Sequence, residues 1–207
     1  MAQHKNIKIV TPKAICVYPW LNRPDTKFNA DGEYKVTLKV EAEDAAPLIK
    51  QLDEILETYK DTSIKRDPKL SRYSVSQPYE EEMDDQGNLT GYYLFKFKQR
   101  AKIHTNDGRT IDMKIAIVDA SRTPTDAIIG GGSEVKIAAS VYPYAMSTNK
   151  AFGLSLRPQA IQILNLVEQK NGNVVSMFDE EDGFKAEAKA PVTDSFTSDE
   201  MDTAADF

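Results

Sequence analysis

Residues 33–41, EYKVTLKVE, alternate between apolar and polar without a break. Tyr34, Val36, Leu38 and Val40 fall on one face and Lys35, Thr37 and Lys39 on the other, the period of two of a half-buried strand. An earlier strand is expected around 13–18, ahead of the turn-like LNRPDTKFNADG. From 44 to 60 the period changes. Leu48, Leu52, Ile55, Leu56 and Tyr59 recur at helical spacing, with Asp53, Glu54, Glu57 and Lys60 outward. That pattern predicts an amphipathic helix packed on a sheet. Pro47 is expected in its first turn, where a missing N–H costs nothing. Residues 61–91 are polar and punctuated by Pro68, Pro78 and a Gln-Gly-Asn turn, so a long irregular insertion is expected there. Strand signals then crowd together. YYLFKFKQRAKI at 92–103 and RTIDMKIAIV at 109–118 flank an Asp107-Gly108 hairpin turn. In the second of these, Ile111, Met113, Ile115 and Ile117 share a face. Residues 134–142 alternate again, with Val135, Ile137, Ala139 and Val141 inward, and a last apolar segment covers 152–167.

Five or more short strands, mostly antiparallel, and one main helix predict a mainly β chain, built as a barrel or a sandwich. A small, partly open barrel with one helix is what an OB-fold, a five-stranded Greek-key barrel, requires. Past about 171 the apolar periodicity stops. Phe178, Phe184 and Phe196 are scattered through an acidic, Ala/Ser/Thr-rich background that cannot bury enough surface to offset its ordering entropy. The expected organisation is a folded domain over 1–170 and a disordered acidic tail over 171–207.

Charge sharpens this division. From 179 to 207 ten carboxylates face only Lys185 and Lys189, a net −8, which leaves +2 for 1–178 out of the chain's −6. Between 90 and 160 ten Lys/Arg stand against five Asp/Glu. A basic body with an acidic tail suggests nucleic acid, and self-competition for it. The single cysteine, Cys16, allows no intrachain disulfide and fits a reducing cytoplasm. Two histidines and one cysteine leave no metal-ligating cluster. No apolar run reaches membrane-spanning length, and Met1–Val10 has no apolar segment of the kind a secretory signal needs.

Two constellations carry chemistry. On the strand 92–103, Phe95 and Phe97 point one way, and Lys96, Lys98, Arg100 and Lys102 the other. Cations spaced in this way can track a phosphate backbone, joined by Lys35 and Lys39. A solvated edge strand guarded by lysines is the competing reading. The second constellation is aromatic. Tyr18 and Trp20 flank Pro19 in an expected loop that also offers Arg23, Lys27 and Phe28, and Tyr142 and Tyr144 flank Pro143 at an expected strand end. Aromatics so placed can stack on bases, and stacking tolerates any base. The Gly130-Gly131-Gly132-Ser133 run lacks the following Lys-Ser/Thr of a phosphate loop and reads as a backbone turn. No nucleophile–base grouping stands out, so neither catalysis nor a cofactor is expected.

The order and spacing of several short stretches resemble the single-stranded DNA-binding proteins of T-odd-type tailed phages. They are Gly32-Glu33-Tyr34-Lys35-Val36, Pro78-Tyr79-Glu80, Phe95-Lys96-Phe97-Lys98, Ile117-Val118-Asp119-Ala120, Ile128-Ile129-Gly130-Gly131-Gly132-Ser133, Val141-Tyr142-Pro143-Tyr144 and the final Ala205-Asp206-Phe207. The resemblance implies an OB-fold, action in the cytoplasm of an infected bacterial host during phage DNA replication, recombination and repair, and a homodimer. It implies that Tyr144 contacts DNA. It also implies a tail whose Asp199, Glu200, Asp202, Asp206 and terminal Phe207 contact the phage DNA polymerase and helicase–primase. The tail departs from the family pattern in its spaced acids and in Lys185 and Lys189. The resulting expectation is sequence-independent binding of single-stranded DNA by Tyr18, Trp20, Lys35, Lys39, Lys96, Lys98, Arg100, Lys102, Tyr142 and Tyr144. The alternatives are a protein-interaction or scaffold module without DNA binding, and a metal-dependent nuclease.

Overall fold

The protein is described from a computed structural model over residues 7–167. The expected tail, 171–207, with Asp199, Glu200, Asp202, Asp206 and Phe207, lies outside the described residues.

Among the described residues eleven strands and one long helix follow in the order β1 (Ile7–Val10), β2 (Ala14–Asp25), β3 (Glu33–Glu41), α1 (Ala42–Arg66), β4 (Ser74–Ser76), β5 (Tyr79–Met83), β6 (Leu89–Arg100), β7 (Lys102–His104), β8 (Thr110–Asp112), β9 (Ala116–Val118), β10 (Glu134–Met146) and β11 (Ala151–Asn165). Five of them close a barrel. β2 pairs β3, β3 pairs β6, β10 pairs β11 and β10 returns to β2, all antiparallel, while β6 meets β11 in parallel. This is the OB-fold. β3 alternates as its sequence predicts, with Tyr34, Val36, Leu38 and Val40 buried. Phe95 and Phe97 from β6, Ile137 from β10, and Phe152, Leu156 and Ile161 from β11 complete the interior.

Helix α1 lies between β3 and β6 in the chain and packs against β3, β6, β10 and β11. Its Leu48, Leu52 and Leu56 are buried, and Tyr59 meets Phe152 edge-on at 6.1 Å between ring centroids. Burying each leucine contributes about 1.5–3 kcal/mol. The helix starts before and ends after the apolar stripe, since Glu43 and Asp44 suit its first turn and Lys65 and Arg66 its last. Pro47 therefore stands in the second turn, not the first, where it leaves one backbone carbonyl without its helical donor.

Three further expectations are corrected. Residues 61–91 are not irregular. After α1 come a 3-10 turn at Pro68–Arg72, β4 on β11 and β5 on β6. These strands sit at sheet edges with most side chains exposed, so they carry no apolar alternation. The strand 92–103 breaks at buried Ala101, whose N–H bonds the Gly32 carbonyl and whose carbonyl accepts from the Met113 N–H. Lys102 consequently belongs to the β7–β8 hairpin, off the barrel. The strand 109–118 breaks in the same region, into β8 and β9, and Ile111 is exposed. The Asp107-Gly108 turn joins β7 to β8 as expected, with φ +81° at Gly108. Gly132 sits at φ +89°, with its N–H on the Cys16 carbonyl, which confirms the glycine run as a turn.

A candidate nucleic-acid interface

Tyr18–Trp20 was expected in a loop, but it lies inside β2. Val17 pairs Thr37 and Trp20 pairs Lys35, so β2 spends one residue more than β3 across this interval. The bulge puts Tyr18 in the left-handed region, at φ +49°, with 83% of its surface exposed. Its consequence is larger at Trp20. Strict alternation from buried Cys16 would turn Trp20 inward. The extra residue turns it outward, onto the face of Lys35. Trp20 is 38% exposed and forms one wall of a 740 Å³ groove, opposite Ile128 and Gly131–Gly132. Asn22 ties the two walls together, bonding the Ala127 carbonyl at 2.8 Å and the Ile129 N–H at 2.9 Å.

From Trp20 a row crosses the barrel. Trp20 stands opposite Lys35, and Lys35 opposite Lys98. Strands are about 4.8 Å apart, and like charges directly opposite destabilise a sheet. Here the repulsion is offset from one side. Asp25, buried at the end of β2, holds the Lys35 ammonium at 2.6 Å. That hydrogen bond, with the Lys27 N–H, keeps the Asp25 carboxyl below its ordinary range. The next strand carries the row on. Leu156 pairs Phe97 on the core side, so Arg157 flanks Lys98 on the outer side. The Arg157 guanidinium lies 4.1 Å from the centroid of the Tyr142 ring, a cation–π contact. Arg100 continues β6 beside the 26–32 loop, where Lys27 covers the exposed Phe28 at 5.4 Å. Among the described residues, Lys98, Arg100 and Arg157 form no ion pair.

The remaining candidates behave differently. Lys39 is bound to Glu82 at 2.6 Å and lies 4.4 Å over the Tyr92 ring. Lys96 is bound to Glu80 at 2.9 Å. Both acids come from β5, in the stretch expected to be irregular. The Lys39 hydrogen bond, helped by Thr90, lowers the Glu82 carboxyl below its ordinary range. Tyr142 and Tyr144 lie inside β10, not at its end. Tyr144 faces Gly153 across the ladder, and its ring comes so close that a Cβ on Gly153 would fall 2.5 Å from the hydroxyl. Tyr144 is therefore packed along one side. Arg157 was not among the expected residues. Its only signal was its place between the apolar Leu156 and Pro158. Among the described residues no group of three or more His, Cys, Asp or Glu side chains is placed to hold a metal ion, and no helix is long and apolar enough to cross a membrane.

Aromatic–cation–aromatic rows on the outer strands of a small barrel are the arrangement by which OB-folds take single strands. The model of the family "Single-stranded DNA-binding protein, Bacteriophage T7" matches residues 13–169. The chain belongs to that family. Its relatives include the single-stranded DNA-binding protein of Enterobacteria phage T3, 27% identical over 184 residues, covering 80% of this chain and 79% of the relative. The Escherichia phage T7 protein of the same description is 26% identical over 149 residues, covering 67% and 64%. Among solved structures, gp2.5, a single-stranded DNA-binding protein encoded by bacteriophage T7, superposes with a TM-score of 0.67 at 21% identity, over 88% of this chain and 100% of that one. The bacteriophage Enc34 single-stranded DNA-binding protein in complex with single-stranded DNA gives 0.54 at 13%, over 79% and 89%. At these identities the structural likeness shows the fold alone.

Proposed function

We propose that this family member binds single-stranded DNA without sequence preference, along the row Trp20–Lys35–Lys98–Arg157 that ends on Tyr142. That row is the observation that carries the reading. It offers aromatic faces at both ends and cations between them, on the open side of the barrel. The aromatics stack on bases, Lys98, Arg100 and Arg157 hold phosphates, and Lys35 contributes to the extent that Asp25 leaves it free. Lys39 and Lys96, neutralised by Glu82 and Glu80, mark the border of the path. The bound strand serves phage DNA replication, recombination and repair in the host cytoplasm, and the protein acts as a homodimer. The acidic residues of 179–207 compete with DNA for the basic face. When DNA displaces them, Asp199, Glu200, Asp202, Asp206 and Phe207 recruit the phage polymerase and helicase–primase.

Trp20 is the chain's only tryptophan, so its fluorescence tests the reading directly. Titration with poly(dT) should quench it, more strongly at low salt than at high. Indifference at both salts, with no complex in a gel shift, would sink the reading. Truncation after residue 178 should raise DNA affinity most at low salt, and unchanged affinity would remove the competition.

A further inference from the structure

The barrel is weakest between β6 and β11, where Leu156 and Phe97 are the matched pair. Two residues on, Pro158 has no N–H to offer the ladder, and the two strands part. The gap is a cavity of 580 Å³ whose walls are mixed, with Ile103, Met113 and Tyr142 alongside Lys98, Arg100, Arg157 and the acidic Glu33. Gln99 lines it too. This side chain lies on the core side of β6, 5% exposed, and its Nε2 has no hydrogen-bond partner among the described residues. The amide orientation follows from its neighbour. Gln159 Nε2 donates to the Arg157 carbonyl at 3.5 Å and to Gln99 Oε1 at 3.0 Å. The atom of Gln99 facing Gln159 is thus the oxygen, and the nitrogen is left over. A buried donor without an acceptor costs about 1–3 kcal/mol, and a native fold rarely keeps one without use.

We infer that this cavity receives one base of the bound strand and that Gln99 Nε2 donates to a carbonyl oxygen on it. The inference rests on the DNA-binding reading above. A base suits the site better than a phosphate. The orphan donor is neutral and almost fully buried, and an anion brought against it would lose its hydration, whereas Lys98, Arg100 and Arg157 along the cavity suit the phosphates on either side. Arg157 and Tyr142 present flat surfaces against which a base can lie. Gln99 Nε2 is out of reach of solvent, so a covering side chain has to move.

Gln99→Met, nearly the same shape without the amide, tests this in the full chain. Affinity for oligo(dT) should fall roughly two- to tenfold, the weight of one net hydrogen bond. The salt slope should stay unchanged, affinity for an abasic strand of the same length should be unaffected, and the melting temperature should hold or rise because the orphan is gone. Unchanged oligo(dT) affinity would overturn the pocket while leaving the DNA-binding face intact. An equal fall on both strands would make it a phosphate cleft instead. A lowered melting temperature with unchanged affinity would make Gln99 a packing residue. If the unmodified chain ignored oligo(dT) at low salt, the DNA-binding reading would fall, and this pocket with it.

Discussion

Lys96 and Lys98 stand two residues apart on one face of β6, with the same side chain and the same exposure class, yet only Lys98 is open. Lys96 is bound to Glu80, and Lys39 nearby to Glu82, because β5 runs along that part of β6. Toward β11 Glu33 lines the same cavity as Lys98, Arg100 and Arg157, yet among the described residues these three cations form no ion pair and keep their charge for something else. The pairs on the β5 side are partly exposed and contribute little stability, about 0–1 kcal/mol each. Their effect is on the potential of the surface, since each cancels a cation that could hold a phosphate. A run of cations along a strand therefore describes a capacity, and the neighbouring strand decides how much of it remains.

The largest effect should come from the aromatic end of the open half. Trp20→Ala should weaken binding to oligo(dT) by about 1–3 kcal/mol, roughly 5- to 150-fold, measured by anisotropy, with the fold intact because the side chain is partly exposed. The comparison itself is put at risk by single alanines on β6 and β11. Lys98→Ala and Arg157→Ala should each lower the slope of log affinity against log salt by about 0.7, and Lys96→Ala by much less. Equal slopes for Lys96→Ala and Lys98→Ala would break the distinction drawn between the two halves. The reverse experiment unmasks the closed half. Glu80→Gln combined with Glu82→Gln should raise low-salt affinity and steepen the slope, while costing at most about 1 kcal/mol per pair in urea unfolding. The smallest effect is on acid stability. Lys35 and Lys39 hold the carboxyls of Asp25 and Glu82 below their ordinary range. A carboxyl depressed in the folded state stabilises above its unfolded value, about 3.9 for Asp and 4.3 for Glu, and that contribution is lost as pH falls through the lowered folded value. Melting temperature should thus drop below about pH 4, and less steeply in Asp25→Asn. An identical acid profile in that variant would remove Asp25 from the account.

Where one face of an element is buried and the other wet, the pattern along the chain was sufficient. β3, β10 and the leucine stripe of α1 were legible for that reason, as were the Asp107-Gly108 turn and the Gly130–Gly132 turn, where backbone geometry restricts the residue. β4 and β5 were not, because edge strands exposed on both faces have no alternation to read. Lys102 was misplaced because alternation was continued through Ala101, where backbone bonds to Gly32 and Met113 end the strand.

The sequence by itself determined the faces of β3 and β10, the helix, the division of charge and the family, because these depend on periodicity and on short motifs in order. Only the tertiary structure decided which of the expected residues lie together and which are paired with acids. A one-residue bulge turned Trp20 outward, β5 neutralised Lys39 and Lys96, and the parting of β6 from β11 brought Arg157 and Gln99 beside Lys98. Each of these depends on register between strands distant in the chain, and register is a property of the pairing rather than of either strand alone.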